Sequence, residues 1–137
     1  MADQARSDKL RRLVAVQRHL ERIAEFDLAE TGRQRSEVAK QMDNVVTALN
    51  SVDPVHQAFG QAYAERFSRL SVKDRQLKGM EQVHEMRLRQ ERAKGDRLEE
   101  GMREAQEGER REAEDAAIED LIDQRFATPA SSKLHKP

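Results

Sequence analysis

Asn50-Ser51-Val52-Asp53-Pro54 is the stretch that decides the fold of this chain. Pro54 is the only proline between residues 7 and 127. Proline fixes φ and lacks an N–H, so it is tolerated in the first turn of a helix and breaks a helix interior. Asp53 can act as the N-cap of a helix that begins at Pro54, and Asn50 suits the end of a preceding helix. The stretch therefore predicts a corner between two long helices.

The composition predicts a coiled coil. Of the 137 residues, 37% are charged and 4% are aromatic, and charges of both signs alternate with apolar residues at helical intervals. The net charge of −1 argues against binding to nucleic acid or to an anionic membrane through the overall field. The absence of cysteine fits a reducing compartment. No signal-like or membrane-spanning apolar run is present in the sequence, so we expect a cytoplasmic protein.

The predicted fold class is all-α, an antiparallel two-helix coiled-coil hairpin with a longer second helix. We expect the hairpin to occupy residues 1–127, with helix 1 at about 8–50, the corner at 51–54 and helix 2 at about 54–126. Residues 128–137 are expected to form a disordered tail. The predicted seam of helix 1 consists of Leu13, Val16, Leu20, Ala24, Leu28, Thr31, Arg35, Val38, Met42, Val45, Leu49 and Val52. Its two successive steps of four, at Leu20, Ala24 and Leu28, predict a stutter.

Helix 2 carries most of the aromatic residues on one stripe beside the corner. The stripe consists of Phe59, Tyr63, Phe67 and Leu70, followed by Leu77, Met80, His84 and Leu88. The Ser71–Asp74 stretch has the form of a capping box, but we expect the helix to continue through it. If the hairpin is straight, Leu10 falls near Asp96. The last part of helix 2, about 97–126, then projects alone, held by a partner or frayed.

The candidate chemistry of the chain is weak. Glu81 and His84 have the Glu-x-x-His spacing of helical metal sites, but such sites draw ligands from several helices and no second copy occurs. We therefore predict no metal, no cofactor and no enzymatic activity. The basic run from Arg66 to Arg97 lacks interleaved aromatic residues, so a solvated face is favoured over a nucleic-acid surface.

Several features together resemble the FliJ-type family, the small stalk proteins of flagellar and type III secretion export ATPases. The first is the segment Leu10-Arg11-Arg12-Leu13-Val14-Ala15-Val16-Gln17-Arg18-His19-Leu20-Glu21-Arg22. The others are the single corner, the highly charged second helix and the ending Glu119-Asp120-Leu121-Ile122-Asp123. The resemblance is one of length, layout and seam, and it spans nearly the whole chain.

The resemblance implies a non-enzymatic central stalk. Family members are antiparallel two-helix coiled coils whose paired ends enter the pore of the hexameric export ATPase, promote its assembly and activity, and contact the membrane export gate and export chaperones. On this layout the gate-binding candidates are Phe59, Tyr63, Phe67 and Leu70. The ATPase-binding candidates are Arg11, Arg12, Arg18, Arg22, Glu112, Glu114, Glu119 and Asp120. The protein would then be peripheral to the membrane through its partners only.

Two other functions remain open from the sequence. A structural coiled-coil adaptor unrelated to secretion shares every helix-level prediction, but it should self-associate through Leu98, Met102 and Ile118, whereas a stalk should be monomeric alone. A nucleic-acid-binding helix at Arg66–Arg97 should bind DNA or RNA with a strong salt dependence.

Overall fold

The chain is all-helical across residues 5–127, which are the residues that the computed structural model describes. Helix α1 covers Arg6–Leu49, α2 covers Pro54–Ala58 and α3 covers Gly60–Ala127. The described part of the chain contains no strand. The expected disordered tail at 128–137 lies outside the described residues.

The start of the helix at the corner agrees with the sequence prediction, but the length of that helix does not. Asp53 is the N-cap of α2, because its Oδ1 accepts a hydrogen bond of 2.9 Å from the Val55 N–H. However, α2 ends after one turn at Phe59, whose φ of −104° and ψ of 14° depart from helical values. The predicted second helix is therefore two helices, α2 and α3. The predicted continuation through Ser71–Asp74 is confirmed, since α3 runs through it.

Residues 17–94 form one compact unit with the apolar core. Val38 and Val45 of α1 pack with Leu70 and Leu77 of α3. Three half-buried residues surround this cluster, namely Met42, Tyr63 and Phe67. The core thus lies at the corner end of this unit, as the aromatic stripe predicts.

Burial follows a regular spacing of three and four residues on both long helices. On α1 the buried and half-buried positions include Ser7, Leu10, Val14, Gln17, Glu21, Ala24, Leu28, Thr31, Arg35, Val38, Met42 and Val45. On α3 they include Tyr63, Phe67, Leu70, Asp74, Leu77, Glu81, His84, Leu88, Glu91, Gly95, Leu98, Met102, Ala105 and Glu109. This is the heptad spacing of coiled-coil helices.

The predicted seam of helix 1 is wrong at both ends. Near the corner, Leu49 and Val52 are exposed. Leu13 and Val16 are 51% and 60% exposed, and Leu20 is also exposed. Gln17 and Glu21 are buried in their place. The predicted stutter is therefore absent, because Gln17, Glu21 and Ala24 continue the three-four spacing without interruption.

Residues 5–16 and 95–127 belong to the second compact unit. In this unit a Cβ placed on Gly101 would lie 3.9 Å from Leu10 Cδ1. The expected position of Leu10 beside Asp96 is thus wrong by five residues. The reason is the corner, which uses residues 54–59 before α3 begins. Every residue from 110 to 127 is exposed.

Candidate functional site

A carboxylate of α3 caps the first turn of α1. Glu109 Oε1 accepts a hydrogen bond of 3.0 Å from the Ser7 N–H, and its Oε2 accepts one of 2.5 Å from Ser7 Oγ. The first N–H groups of a helix have no partner within the helix, and the positive end of its dipole favours an anion. These bonds lower the pKa of Glu109 from its ordinary value. The cap fixes which residue of α3 meets the start of α1.

A second polar contact joins the helices within the unit of residues 17–94. Gln17 Nε2 donates to the Glu91 backbone oxygen at 3.0 Å and to Glu91 Oε2 at 2.5 Å. The bond from Gln17 is the main reason that the pKa of Glu91 is lowered. Since both residues occupy buried or half-buried heptad positions, the bond satisfies polar groups where apolar ones are usual.

A third polar layer lies next to the apolar core. Arg35 Nε is 3.0 Å from Asp74 Oδ1, and Arg35 Nη1 is 3.6 Å from Glu81 Oε1. The guanidinium therefore bridges two carboxylates that are two helical turns apart on α3. Ion pairs near the surface also link Asp27 with Arg87 at 3.7 Å and Glu25 with Arg92 at 3.1 Å.

Three of the predicted ATPase-binding arginines, Arg11, Arg18 and Arg22, contact side chains of their own helix. Arg11 pairs with Asp8 at 3.3 Å, and Arg18 pairs with Glu21 at 2.6 Å. Arg22 Nη2 lies 3.5 Å from His19 Nδ1. Arg12 is exposed. All four side chains thus lie in the N-terminal half of α1, with Arg11, Arg12 and Arg22 exposed and Arg18 half-buried.

The predicted acidic candidates lie in the exposed end of α3. Glu112, Glu114, Glu119 and Asp120 are all exposed. Glu114 accepts a bond of 2.6 Å from Arg110 Nη1, four residues earlier. Glu112 lines a shallow groove with Arg6, Gly108 and Glu109. Of the eight predicted residues, Arg11, Arg12 and the four acidic ones fall in the same compact unit as the Ser7–Glu109 cap.

The four predicted gate-binding residues differ in exposure. Phe59 is 55% exposed, and its ring centroid lies 6.4 Å from that of Tyr63. Tyr63 is half-buried, and its hydroxyl lies 2.9 Å from His56 Nδ1. Phe67 packs against the core, and Leu70 is buried in it. Phe59 therefore offers the most accessible apolar surface of the four.

Glu81, the carboxylate of the Glu-x-x-His pair, forms an ion pair with Arg35 of α1. Within residues 5–127, no group of three or more His, Cys, Asp or Glu side chains could hold a metal ion. No helix in the same range is both long enough and apolar enough to cross a membrane.

Sequence reasoning missed two features of the site. One is the set of polar layers, Ser7 with Glu109 and Gln17 with Glu91, for which the sequence offers only the polar residue types. The other is the exposure of an apolar stripe on α1, three of whose four residues the sequence pattern assigned to the buried seam. That stripe is exposed and consists of Leu13, Val16, Leu20 and Ile23.

Over residues 5–127, the fold and site define an all-α protein with two long helices, in which polar layers and an apolar core lie at positions spaced by three and four residues. No family model matches this chain, and no match was found among the curated proteins or the solved structures.

Proposed function

We propose that the chain forms an antiparallel two-helix coiled-coil hairpin with a longer second helix. Within residues 17–94, the contacts run in opposite order along α1 and α3, from Gln17 with Glu91 to Arg35 with Asp74. The heptad spacing of burial supports the same packing. Helix α3 has 68 residues against 44 in α1, which supports the longer second helix.

We further propose that the protein is the non-enzymatic central stalk and escort of a flagellar or type III protein export apparatus. In this role it promotes assembly and activity of the hexameric export ATPase. The observation that carries the proposal is the exposed helical end at 110–127, beyond the Ser7–Glu109 cap. A helix that continues past its partner offers charged side chains on all sides to a ring that surrounds it.

The polar layers suit a stalk for a physical reason. A stalk needs a fixed register between its helices, and single polar contacts at heptad positions specify register at some cost in stability. The outward charges of Arg11 and Glu114 pair locally, so they present a mixed surface. Mixed surface charges support binding that remains reversible, because exposed ion pairs contribute little free energy.

The proposal assigns roles to the two groups of candidates. Arg11, Arg12, Arg18 and Arg22, with Glu112, Glu114, Glu119 and Asp120, contact the ATPase. Phe59 contacts the export gate, while Tyr63, Phe67 and Leu70 hold the corner that presents it. The protein also escorts export chaperones. It acts in the cytoplasm, at the export apparatus, and reaches the membrane through its partners.

The test is ATP hydrolysis by the cognate export ATPase, titrated with this chain. We expect stimulation that saturates near one chain per ATPase hexamer, with the complex mass measured in parallel. The double charge reversal Arg11→Glu with Arg12→Glu should abolish stimulation. Arg33→Glu is the matched control, since Arg33 is an exposed α1 arginine outside the candidate set and pairs with Glu30. Stimulation by the double variant equal to that of the wild type would reject these roles.

The alternative is a structural coiled-coil adaptor that self-associates and is unrelated to secretion. Its expected contact residues Leu98 and Met102 are half-buried within their own unit, while Ile118 is exposed. Leu98 and Met102 are therefore less available to a second chain. Failure to bind or stimulate the ATPase, with intact helicity, would favour the adaptor.

A further inference from the structure

The exposed end of α3 carries apolar residues on a face of its own. Continuing the three-four spacing beyond Glu109 gives positions 112, 116, 119 and 123, which are acidic or alanine. Ile118, Leu121 and Ile122 fall between these positions and are 54%, 64% and 47% exposed. An isolated helix of this length is marginal in water, so a packing partner on this face would stabilise it. We call residues 112–126 the acidic segment.

Helix α1 carries a complementary face. Leu13, Val16, Leu20 and Ile23 are spaced by three, four and three residues, and each immediately precedes a seam position. They form an exposed stripe beside the seam, with the geometry of a second coiled-coil face. We call it the α1 stripe. Unlike scattered exposed apolar residues, four at this spacing form a continuous surface.

Charge distinguishes the possible pairings of these faces. The acidic segment contains six acidic residues and one basic residue, Arg125. Residues 9–22, around the α1 stripe, contain five basic residues and one acidic residue. Two acidic segments repel each other, and so do two α1 stripes, because like charges facing each other are destabilising. An acidic segment against an α1 stripe brings opposite charges together.

We propose that two copies of this chain associate in solution, with the acidic segment of each copy packed on the α1 stripe of the other. In the unit that holds Ser7 and Glu109, α3 runs in the opposite direction to α1. Gly101 lies beside Leu10, and the later residue Glu109 lies beside the earlier residue Ser7. If the acidic segment of one copy runs parallel to α1 of the other copy, the same arrangement also packs the second copy's acidic segment on the first copy's α1 stripe. The result is a closed two-fold dimer.

The parallel arrangement sets a register that can be tested. Pairing Val16 with Ile118 places Leu20 against Ile122 and Leu13 near Asp115. The reversed arrangement pairs Leu20 with Ile118 and Val16 with Ile122, which places Leu13 near Arg125 instead. It repeats from copy to copy as an open chain. The two arrangements therefore differ in both their contacts and their assembly size.

The dimer goes beyond the proposed stalk function and does not depend on it. It replaces the monomeric free state that the stalk resemblance leads us to expect. If the export assignment holds, the dimer covers the regions around Arg12 and Glu114, so self-association and ATPase binding exclude each other. The two proposals are tested separately, because the dimer is measured with the purified chain alone and the stalk function is measured with the export ATPase.

The first experiment is sedimentation equilibrium of the full chain across a concentration series. We expect a monomer–dimer equilibrium. Ile122→Glu and Leu20→Glu should each shift the protein to monomer, with helicity by circular dichroism unchanged. The matched control is Val83→Glu, an exposed valine of α3 outside both faces, which should leave the dimer intact. A monomer at all concentrations, or a dimer unaffected by both Ile122→Glu and Leu20→Glu, overturns the proposal.

The second experiment tests the register by disulfide formation, which requires Cα atoms only about 4.4–6.8 Å apart. The chain contains no cysteine, so any disulfide that forms must join the introduced cysteines. Mixing Leu13→Cys with Asp115→Cys should give a disulfide-linked dimer, and mixing Leu13→Cys with Arg125→Cys should not. The reverse result, or assemblies that grow beyond two copies, overturns the closed dimer.

Discussion

Arg35 of α1 bridges Asp74 and Glu81 of α3, with Nε 3.0 Å from Asp74 Oδ1 and Nη1 3.6 Å from Glu81 Oε1. The three residues occupy heptad positions directly next to the apolar core of Val38 and Leu77. The apolar core therefore ends at this polar layer on one side. An arginine between two carboxylates also disfavours any shift of the helices, because a shift of one heptad would leave charges unpaired at half-buried positions.

Arg35→Ala should lower the free energy of unfolding by about 1 kcal/mol, the upper part of the range for partly exposed pairs. It removes the only bridge described between Asp74 and Glu81 and leaves two carboxylates on one face. Urea denaturation followed by circular dichroism measures the change. Arg33→Ala is the control, because Arg33 pairs within α1 only, and it should cost a few tenths of a kcal/mol. Equal costs for the two variants would contradict a special role for Arg35.

Leu77→Ala should lower the free energy of unfolding by about 2–3 kcal/mol, the lower range for core truncations in proteins. Leu77 is 5% exposed and belongs to the single apolar cluster of its unit, so its loss leaves a cavity. The control is Val83→Ala on the same helix, which is 65% exposed and should change stability by less than about 0.5 kcal/mol. Urea denaturation of both variants at neutral pH makes the comparison.

Stability should fall as the pH drops below the ordinary carboxyl pKa of 4.5, because the pKa values of Glu91 and Glu109 are lowered in the folded protein. A carboxylate with a lowered pKa contributes stability above its unfolded pKa, and that contribution is lost as protonation removes the favoured charge. The measurement is the urea midpoint as a function of pH, from neutral pH to below 4.5.

The matched variants for this pH dependence are Glu109→Gln and Gln17→Leu. Glu109→Gln removes one titrating group, and Gln17→Leu removes the donor that lowers the pKa of Glu91. Each should make the acid-side loss of stability smaller than in the wild type. A loss of unchanged size in both variants would show that other groups control acid unfolding.

The corner and the class of fold could be predicted from the sequence, because local chemistry determines them. Asp53 and Pro54 set the start of α2 through capping and a fixed φ, independently of the rest of the chain. The break at Phe59 was not predicted, although the following Gly60 is a local signal for it.

The N-terminal seam and the site could not be predicted for a different reason. Val16 and Gln17 belong to two adjacent stripes of α1, and apolar periodicity alone favours the stripe with Val16. The structure buries Gln17, because Glu91 supplies a hydrogen-bond partner from a helix 74 residues away in sequence. A pairing of this kind depends on the register between the helices. That register differs from the predicted one because residues 54–58 form α2 at the corner.

Asp53→Ala should lower the free energy of unfolding by about 1 kcal/mol, the typical cost of losing an N-cap. The Asp53 carboxylate is the acceptor for the Val55 N–H, and alanine leaves that donor to water. Asp53→Asn keeps an oxygen acceptor at the same place and should change stability by only a few tenths of a kcal/mol. If Asn and Ala cost the same, the hydrogen bond does not stabilise the corner.

Amide hydrogen exchange should separate residues 110–127 from the rest of α3. Every residue in this segment is exposed, and the segment lies beyond the Ser7–Glu109 hydrogen bonds. In a monomer we therefore expect local helix formation to be the main protection of its amides. Amides near Leu70 and Leu77 should exchange far more slowly, because opening them requires loss of the core.

The same exchange measurement responds to self-association. In the wild-type chain, protection of 110–127 should rise with protein concentration, because each added dimer covers the Ile118 and Ile122 face. In Leu20→Glu it should remain low at every concentration, although that residue lies on α1. Protection that is independent of concentration in both proteins would mean that the segment is stable as a lone helix, and the packing partner inferred for it would be unnecessary.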